Sequence, residues 1–243
     1  MTLHHLLTLA RVPNLPTVWS NVLMAWVLGG GQGGPGLAAA MAGGTLLYAG
    51  GCTLNDACDA RWDRAHKPHR IIPRGALTER QVWALGGGEM AAGVIFFVMA
   101  RPAGWFWPVA LALAILLYDL RHKESPLSVI VMGGCRALLV LAAARAAGAG
   151  MSWKILTAAA VLWIYIMVLS LLARRESRPG GGLLRALRPR WSVGRWVGEM
   201  LAAIPLVDAA LLVGLGGGCW LAVAACVVSW PLCRLLQRKY DAT

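Results

Sequence analysis

Asp56, Asp59 and Asp63 stand three and then four residues apart in the stretch NDACDARWDRAHKPHRIIPRG, residues 55–75. Lys67, Arg70 and Arg74 follow them. On a helix, positions i, i+3 and i+7 share one face, and Asn55 lies one turn from Asp59. Carboxylates crowded on one face repel unless a cation sits between them. Mg²⁺ suits that place: it takes one or two carboxylates, keeps some water and accepts phosphate oxygens for the rest. The basic residues suit the oxyanion charge that the metal leaves over. The run therefore fits a magnesium diphosphate site. The rival reading is a solvated loop whose acids and bases pair only for topology.

The elements that must carry this run are oily. The chain has 243 residues, 58% of them apolar and 14% charged, against about 25% charged in a soluble domain. Apolar runs long enough, or nearly so, to cross a bilayer follow one another at about 15–28, 37–54, 81–100, 105–120, 127–147, 153–173, 197–215 and 218–236. This predicts an all-α polytopic helical bundle of about eight transmembrane helices, with residues 1–243 as a single domain. The eight-span count places 19 of the 23 Lys and Arg residues on one side. The positive-inside rule makes that side cytoplasmic, with both termini inside. It also explains the net charge of +12 without nucleic acid. The polar segments after spans two, four and six all fall on the same side, as three hairpins would present them. MTLHHLLTLARVPNLP lacks the small-residue site of a cleavable signal peptide. The six cysteines form neither a CxxC pair nor a zinc spacing.

Glu89, Arg136 and Asp208 lie inside predicted spans, where ionisable groups are costly and functional by default. A Glu89–Arg136 ion pair joining two helices is as good an account as a catalytic one. Asp208 has no evident partner.

Residues 55–75 resemble the first aspartate-rich motif of the UbiA superfamily of intramembrane prenyltransferases, NDxxDxxxD with basic residues after it. RVPNLPTVWSNVLMAW resembles the family's first helix, with Arg11 and Asn21 at matching places, and YDLRHK resembles its Tyr…Lys segment. The resemblance implies a bundle around a membrane-open cavity. There an isoprenyl diphosphate binds through Mg²⁺, its allylic C–O bond ionises, and an acceptor captures the carbocation. It implies Asn55, Asp56 and Asp59 as metal ligands supported by Asp63. Lys67, Arg70 and Lys123 become diphosphate contacts, with Arg136 a further cation there. Tyr118 faces the cation or the acceptor, and Asn21 and Glu176 belong to the acceptor region. Where the family has a second motif, DxxxD, this chain reads LLARRESRP. Glu176 is the acid there, and Arg174 or Arg175 can act as a fixed charge on the diphosphate without metal. The chain also has eight spans where nine are common.

YDLRHK, GGCRALL and ARRE together resemble the UbiA-like branch called EboC. That branch implies a small polar acceptor that is a cyclitol rather than an aromatic acid. The expected setting is the lipid bilayer of a bacterial plasma (inner) membrane, with the site facing the cytoplasm. A UbiA-type terpene cyclase and a non-catalytic transporter or scaffold of the same fold stay open as alternatives. Trp62, inside the acidic motif, is a candidate to close the site. The other tryptophans read as an interfacial belt, and GGGQGGPG reads as a turn. RALRPRWSVGRW reads as a basic amphipathic segment on the inner leaflet or, as the alternative, a lid over the cavity.

Overall fold

The computed structural model describes residues 2–121, 127–176 and 193–239. Ten α-helices account for most of them. Short α1 (Leu3–Leu9), capped by the Thr2 hydroxyl, leads to α2 (Leu15–Leu28) and α3 (Pro35–Cys58). Helix α4 (Ala60–His66) extends α3 past Asp59. The i→i−4 bonds Asp59 N–Asn55 O (2.9 Å) and Asp63 N–Asp59 O (2.8 Å) carry the spiral through the junction. The expected shared face of the aspartates therefore forms. Helix α5 (Glu79–Ala100) opens with a reciprocal capping box between Thr78 and Gln81. Then come α6 (Phe106–Arg121), α7 (Ser128–Ala146), α8 (Trp153–Glu176), α9 (Val193–Gly214) and α10 (Trp220–Lys239).

Each of the eight apolar runs falls on one of the longer helices. Six of these helices, α3, α5, α7, α8, α9 and α10, are long and apolar enough to cross a membrane. Helices α2 and α6 have 14 and 16 residues, short of the roughly 20 that a bilayer core requires. Ile95, Leu113, Ile164, Leu221 and Val228 stand exposed on the outside, as in a lipid-facing surface. The chain is an integral membrane protein.

Helices α3 and α5 meet through glycines. A Cβ on Gly93 would lie 2.8 Å from Leu47 N and 3.0 Å from Gly43 O, and one on Gly50 would lie 3.0 Å from Gly86 O. Only glycine lets the backbones come this close, and small residues take that role in membrane interfaces generally. The pairs 43/93 and 50/86 fix the register of the helix that ends in the aspartates.

The two ends of the bundle differ. At one end Gly29 abuts Ala147, Gly104 abuts Arg145, Gly148 abuts Arg101 and Gly216 faces Lys154. That end holds Arg101, Arg145 and Lys154, three of the four basic residues that the eight-span count leaves off the cytoplasmic side, and exposed Trp105, Trp153 and Trp220. At the other end Arg11 meets Asp56, Asn55 meets Asp119, and Arg174 donates to Ser128 Oγ. GGGQGGPG is a turn, in which Trp26 Nε1 donates to Gln32 O at 2.9 Å.

Candidate active site

A cavity of about 450 Å³ runs between α2, α3, α6, α7, α8 and α9. Its mouth is polar, with Arg11, Asn55, Asp59, Lys67, Arg70, Tyr118 and Asp119. Its floor is apolar, with Leu47, Leu111, Ile115, Leu139, Ile166 and Leu201. A charged head group and a hydrocarbon chain would each find a matching wall.

Arg70 follows Asp63 in the loop after α4 and folds back over the aspartate face. Its Nη1 donates to Asp56 Oδ1 at 2.9 Å and to Asp63 Oδ2 at 3.1 Å. Arg11 Nη2 donates to Asn55 Oδ1 (3.1 Å) and Asp56 Oδ1 (3.3 Å) from the other side. Arg11 holds a left-handed backbone, φ 42°, uncommon for a side chain of this size. The kink breaks α1 from the Val12–Asn14 turn and brings the guanidinium to the end of α3. Thus Asp56 and Asp63 are bridged as expected, but by a guanidinium. Asp63 is buried, and its Oδ1 has no hydrogen-bond partner among the described residues.

Asn55 Nδ2 donates to Asp119 Oδ1 at 3.1 Å. Asp119 is buried and lines the cavity. Sequence reasoning missed it, although it is the acid beside Tyr118 at the end of an apolar run. Burial and the nearby Arg70 guanidinium hold the Lys67 ammonium below its ordinary pKa.

Among the described residues, no three His, Cys, Asp or Glu side chains are grouped to hold a metal by themselves. Mg²⁺ does not need such a cage, because it binds through one or two carboxylates with substrate phosphates and water completing the shell. Asn55, Asp59 and Asp119 supply hard oxygen donors on one cavity wall. That donor set, with the lone pairs of Asp63 Oδ1 left without a hydrogen-bond donor among the described residues, fits the ion.

Arg136 lines the cavity deeper in. It does not pair with Glu89, which instead accepts from Thr53 Oγ1 at 2.9 Å. Arg136 Nη1 donates to Asn21 Oδ1 at 2.7 Å, and Nη2 to Thr17 Oγ1 at 2.8 Å. Asn21 is fully buried and in turn donates to Asp208 Oδ1 and Oδ2 at 2.8 and 2.7 Å. Ser20 Oγ donates to Asp208 Oδ2 at 2.6 Å. Asp208 therefore has partners that spacing alone did not reveal. Asn21 serves Arg136 and is not among the cavity-lining residues.

Arg174 is tied to Ser128 and is likewise not among the lining residues. Trp62 stacks on His66, ring centroids 4.1 Å apart, and is 42% exposed, so it stands outside the cavity. Lys123 and most of RALRPRWSVGRW lie outside the described residues, as do the side chains of Arg175 and Glu176.

A model of the UbiA prenyltransferase family matches residues 14–243. The chain belongs to the UbiA prenyltransferase family. A digeranylgeranylglyceryl phosphate synthase of Halobacterium salinarum is 39% identical over 97 residues, which are 40% of this chain and 32% of the relative. The match thus spans about a third of that UbiA relative's length. A solved structure of a digeranylgeranylglyceryl phosphate synthase in membranes superposes with a TM-score of 0.65 at 16% identity. It covers 97% of this chain and 86% of that one. A UbiA homologue from Archaeoglobus fulgidus, bound to DMAPP and Mg²⁺, superposes with a TM-score of 0.58 at 13% identity. Here 97% of this chain and 88% of that one are covered. At these identities the likeness is one of fold.

Proposed function

We propose that this protein is a Mg²⁺-dependent intramembrane prenyltransferase, which moves an isoprenyl group from an isoprenyl diphosphate to a small polar acceptor, a cyclitol or an aromatic. The observation that carries the reading is one cavity with Asn55, Asp59, Lys67 and Arg70 at a polar mouth over an apolar floor. Family membership and a fold neighbour bound to DMAPP and Mg²⁺ support it.

Asn55, Asp59 and Asp119 would hold Mg²⁺, with Asp56 and Asp63 keeping the cradle charged and in register. The ion would supply positive charge to the leaving diphosphate as its C–O bond breaks. Lys67 and Arg70 add donors on the same oxygens, and Arg11 holds Asn55 and Asp56 from behind. The prenyl chain lies along Leu111, Ile115 and Leu139, which keep water from the carbocation. Tyr118 stands where the electron-rich ring can face that cation. The substituted second motif is compatible with one metal held by the first.

The test is pyrophosphate release from geranyl diphosphate by purified protein with Mg²⁺, with a cyclitol and an aromatic acid supplied as acceptors. Asp59→Ala is expected to abolish it while the protein stays folded in the membrane. Release in the Asp59→Ala variant equal to that of the parent would remove the aspartate face from the chemistry. No release from the parent would leave a non-catalytic role.

A further inference from the structure

We propose that the donor is a short-chain isoprenyl diphosphate, no longer than geranyl, and that Leu139 and Val18 form the stop that sets this length. The inference rests on the prenyl-transfer reading above and names its first substrate by size. The observation behind it is a floor: a side chain of α7 crosses beneath the pocket and touches the backbone of α3.

That contact is at Gly44. A Cβ there would lie 3.5 Å from Leu139 Cδ1, 3.4 Å from Val18 Cγ1 and 3.0 Å from Val22 Cγ2. Gly44, Val18 and Leu139 line the cavity, whereas Val22, one turn further along α2, is not among the lining residues. Beyond this level Val22, Ala40, Ala143 and Leu162 are fully buried. The apolar end of the pocket therefore stops inside the bundle, against close-packed side chains that have little room to yield.

The walls are closed as well. Helices α3 and α6 meet at Gly51, where a Cβ would lie 2.8 Å from Ile115 Cγ2. Helices α7 and α8 meet at Gly133, where it would strike the Trp163 ring and lie 2.7 Å from Trp163 O. Tyr165 OH donates to Met200 O at 2.8 Å between α8 and α9, and Asp208 ties α9 to α2 through Ser20 and Asn21. On the α6 and α7 sides, Leu111 and Leu139 line the cavity and are buried. A tail that outgrows the pocket meets these contacts and not lipid.

The depth then limits the chain. Asn55, at the mouth, stands eleven residues from Gly44 on α3, about 16 Å along the axis. An extended chain advances about 1.2 Å per bond, so each five-carbon unit adds about 5 Å. The ester oxygen and the Leu139 and Val18 side chains take up part of the depth. Geranyl fits above the floor, and the third unit of farnesyl runs into it.

Competition binding to purified protein in lipid nanodiscs with Mg²⁺ tests this. The tracer is a radiolabelled, non-ionising thio analogue of geranyl diphosphate. It is displaced by the thio analogues of dimethylallyl, geranyl and farnesyl diphosphates. Partition of each chain into lipid is the same for every variant, so ratios are compared between variants. Leu139→Ala removes three side-chain carbons and Val18→Ala two, together the size of one isoprene unit. The double variant should raise farnesyl affinity relative to geranyl by about tenfold or more over the parent, the scale on which a pocket discriminates even one methylene. Leu139→Phe, which raises the floor, should lower geranyl affinity relative to dimethylallyl, and carries the comparison if the double variant is not monodisperse.

A farnesyl-to-geranyl ratio in the double variant equal to the parent's overturns the inference while the prenyl-transfer reading stands. So does a geranyl-to-dimethylallyl ratio that Leu139→Phe leaves in place, or a parent that binds the farnesyl analogue tighter than the geranyl one. Failure of the parent to bind the geranyl tracer with Mg²⁺ sinks both readings.

Discussion

Asp119 and Asn55 share one hydrogen bond at the end of two different helices, so their contributions to the cradle are coupled. Asn55→Ala leaves Asp119 without that donor and removes an oxygen from the wall. Asp119→Asn removes the charge and keeps the shape. Each is expected to weaken Mg²⁺-dependent turnover by about 10- to 100-fold, as loss of a ligand's supporting partner does. The double variant should cost less than the product of the two, because they act as one unit. A Mg²⁺ titration of geranyl diphosphate turnover reads both. Lys67 gives a pH prediction. Its ammonium titrates below the ordinary lysine range, so the positive charge on the diphosphate side is lost earlier as pH rises. The alkaline limb of kcat/KM should lie below that of an unperturbed lysine. Lys67→Arg should move that limb to higher pH, and a limb that stays in place would exclude Lys67 as its source.

At the scale of elements, the aspartate helix is positioned by backbone contact and not by side-chain interlock. A methyl group on Gly93 would meet Leu47 N at 2.8 Å, and backbone cannot swing aside. Gly93→Ala should therefore separate α3 from α5, at a cost of about 1–3 kcal/mol. A lowered thermal midpoint in detergent checks this. Gly87→Ala, where an added Cβ meets nothing within 4 Å, is the control and should leave it unchanged. The helices themselves were legible: each of the eight apolar runs falls on a helix, six of them long and apolar enough to cross a membrane, because a chain in lipid must satisfy its backbone hydrogen bonds within the segment. The shared aspartate face was legible too, since it follows from helical period. What the sequence could not supply was pairing between distant segments. Arg70 over Asp56, Asp119 on Asn55 and Asp208 on Asn21 each join residues whose proximity depends on how the helices pack. The Glu89–Arg136 pair failed for the same reason: Glu89 turns to Thr53 and Arg136 to Thr17 and Asn21.

For the whole molecule, the separation of the two ends makes a topology prediction. Cys219 is exposed at the turn before α10, on the end poor in basic residues. If the cradle faces the cytoplasm, a membrane-impermeant maleimide should label Cys219 in intact spheroplasts. A cysteine introduced at Arg64, exposed at the opposite end, should react only after permeabilisation. The reverse pattern would turn the bundle over. The apolar exterior and the glycine-packed α3–α5 pair leave the cavity as the place where a polar reactant and a hydrocarbon chain share one wall.

The two arginines on Asp56 and Asp63 have a consequence for order of binding. Asp56 and Asp63 are already paired with two guanidinium groups, so of the four carboxylates a bare divalent ion meets only Asp59 and Asp119 outside these ion pairs, with the Lys67 ammonium at the same mouth. A metal arriving with its pyrophosphate ester brings the anion that Arg11 and Arg70 can turn to, and frees the aspartates in the same motion. Calorimetry should then record feeble heat for MgCl₂ alone and strong, mutually dependent uptake when salt and ester are added together: a latch that opens only to the paired key.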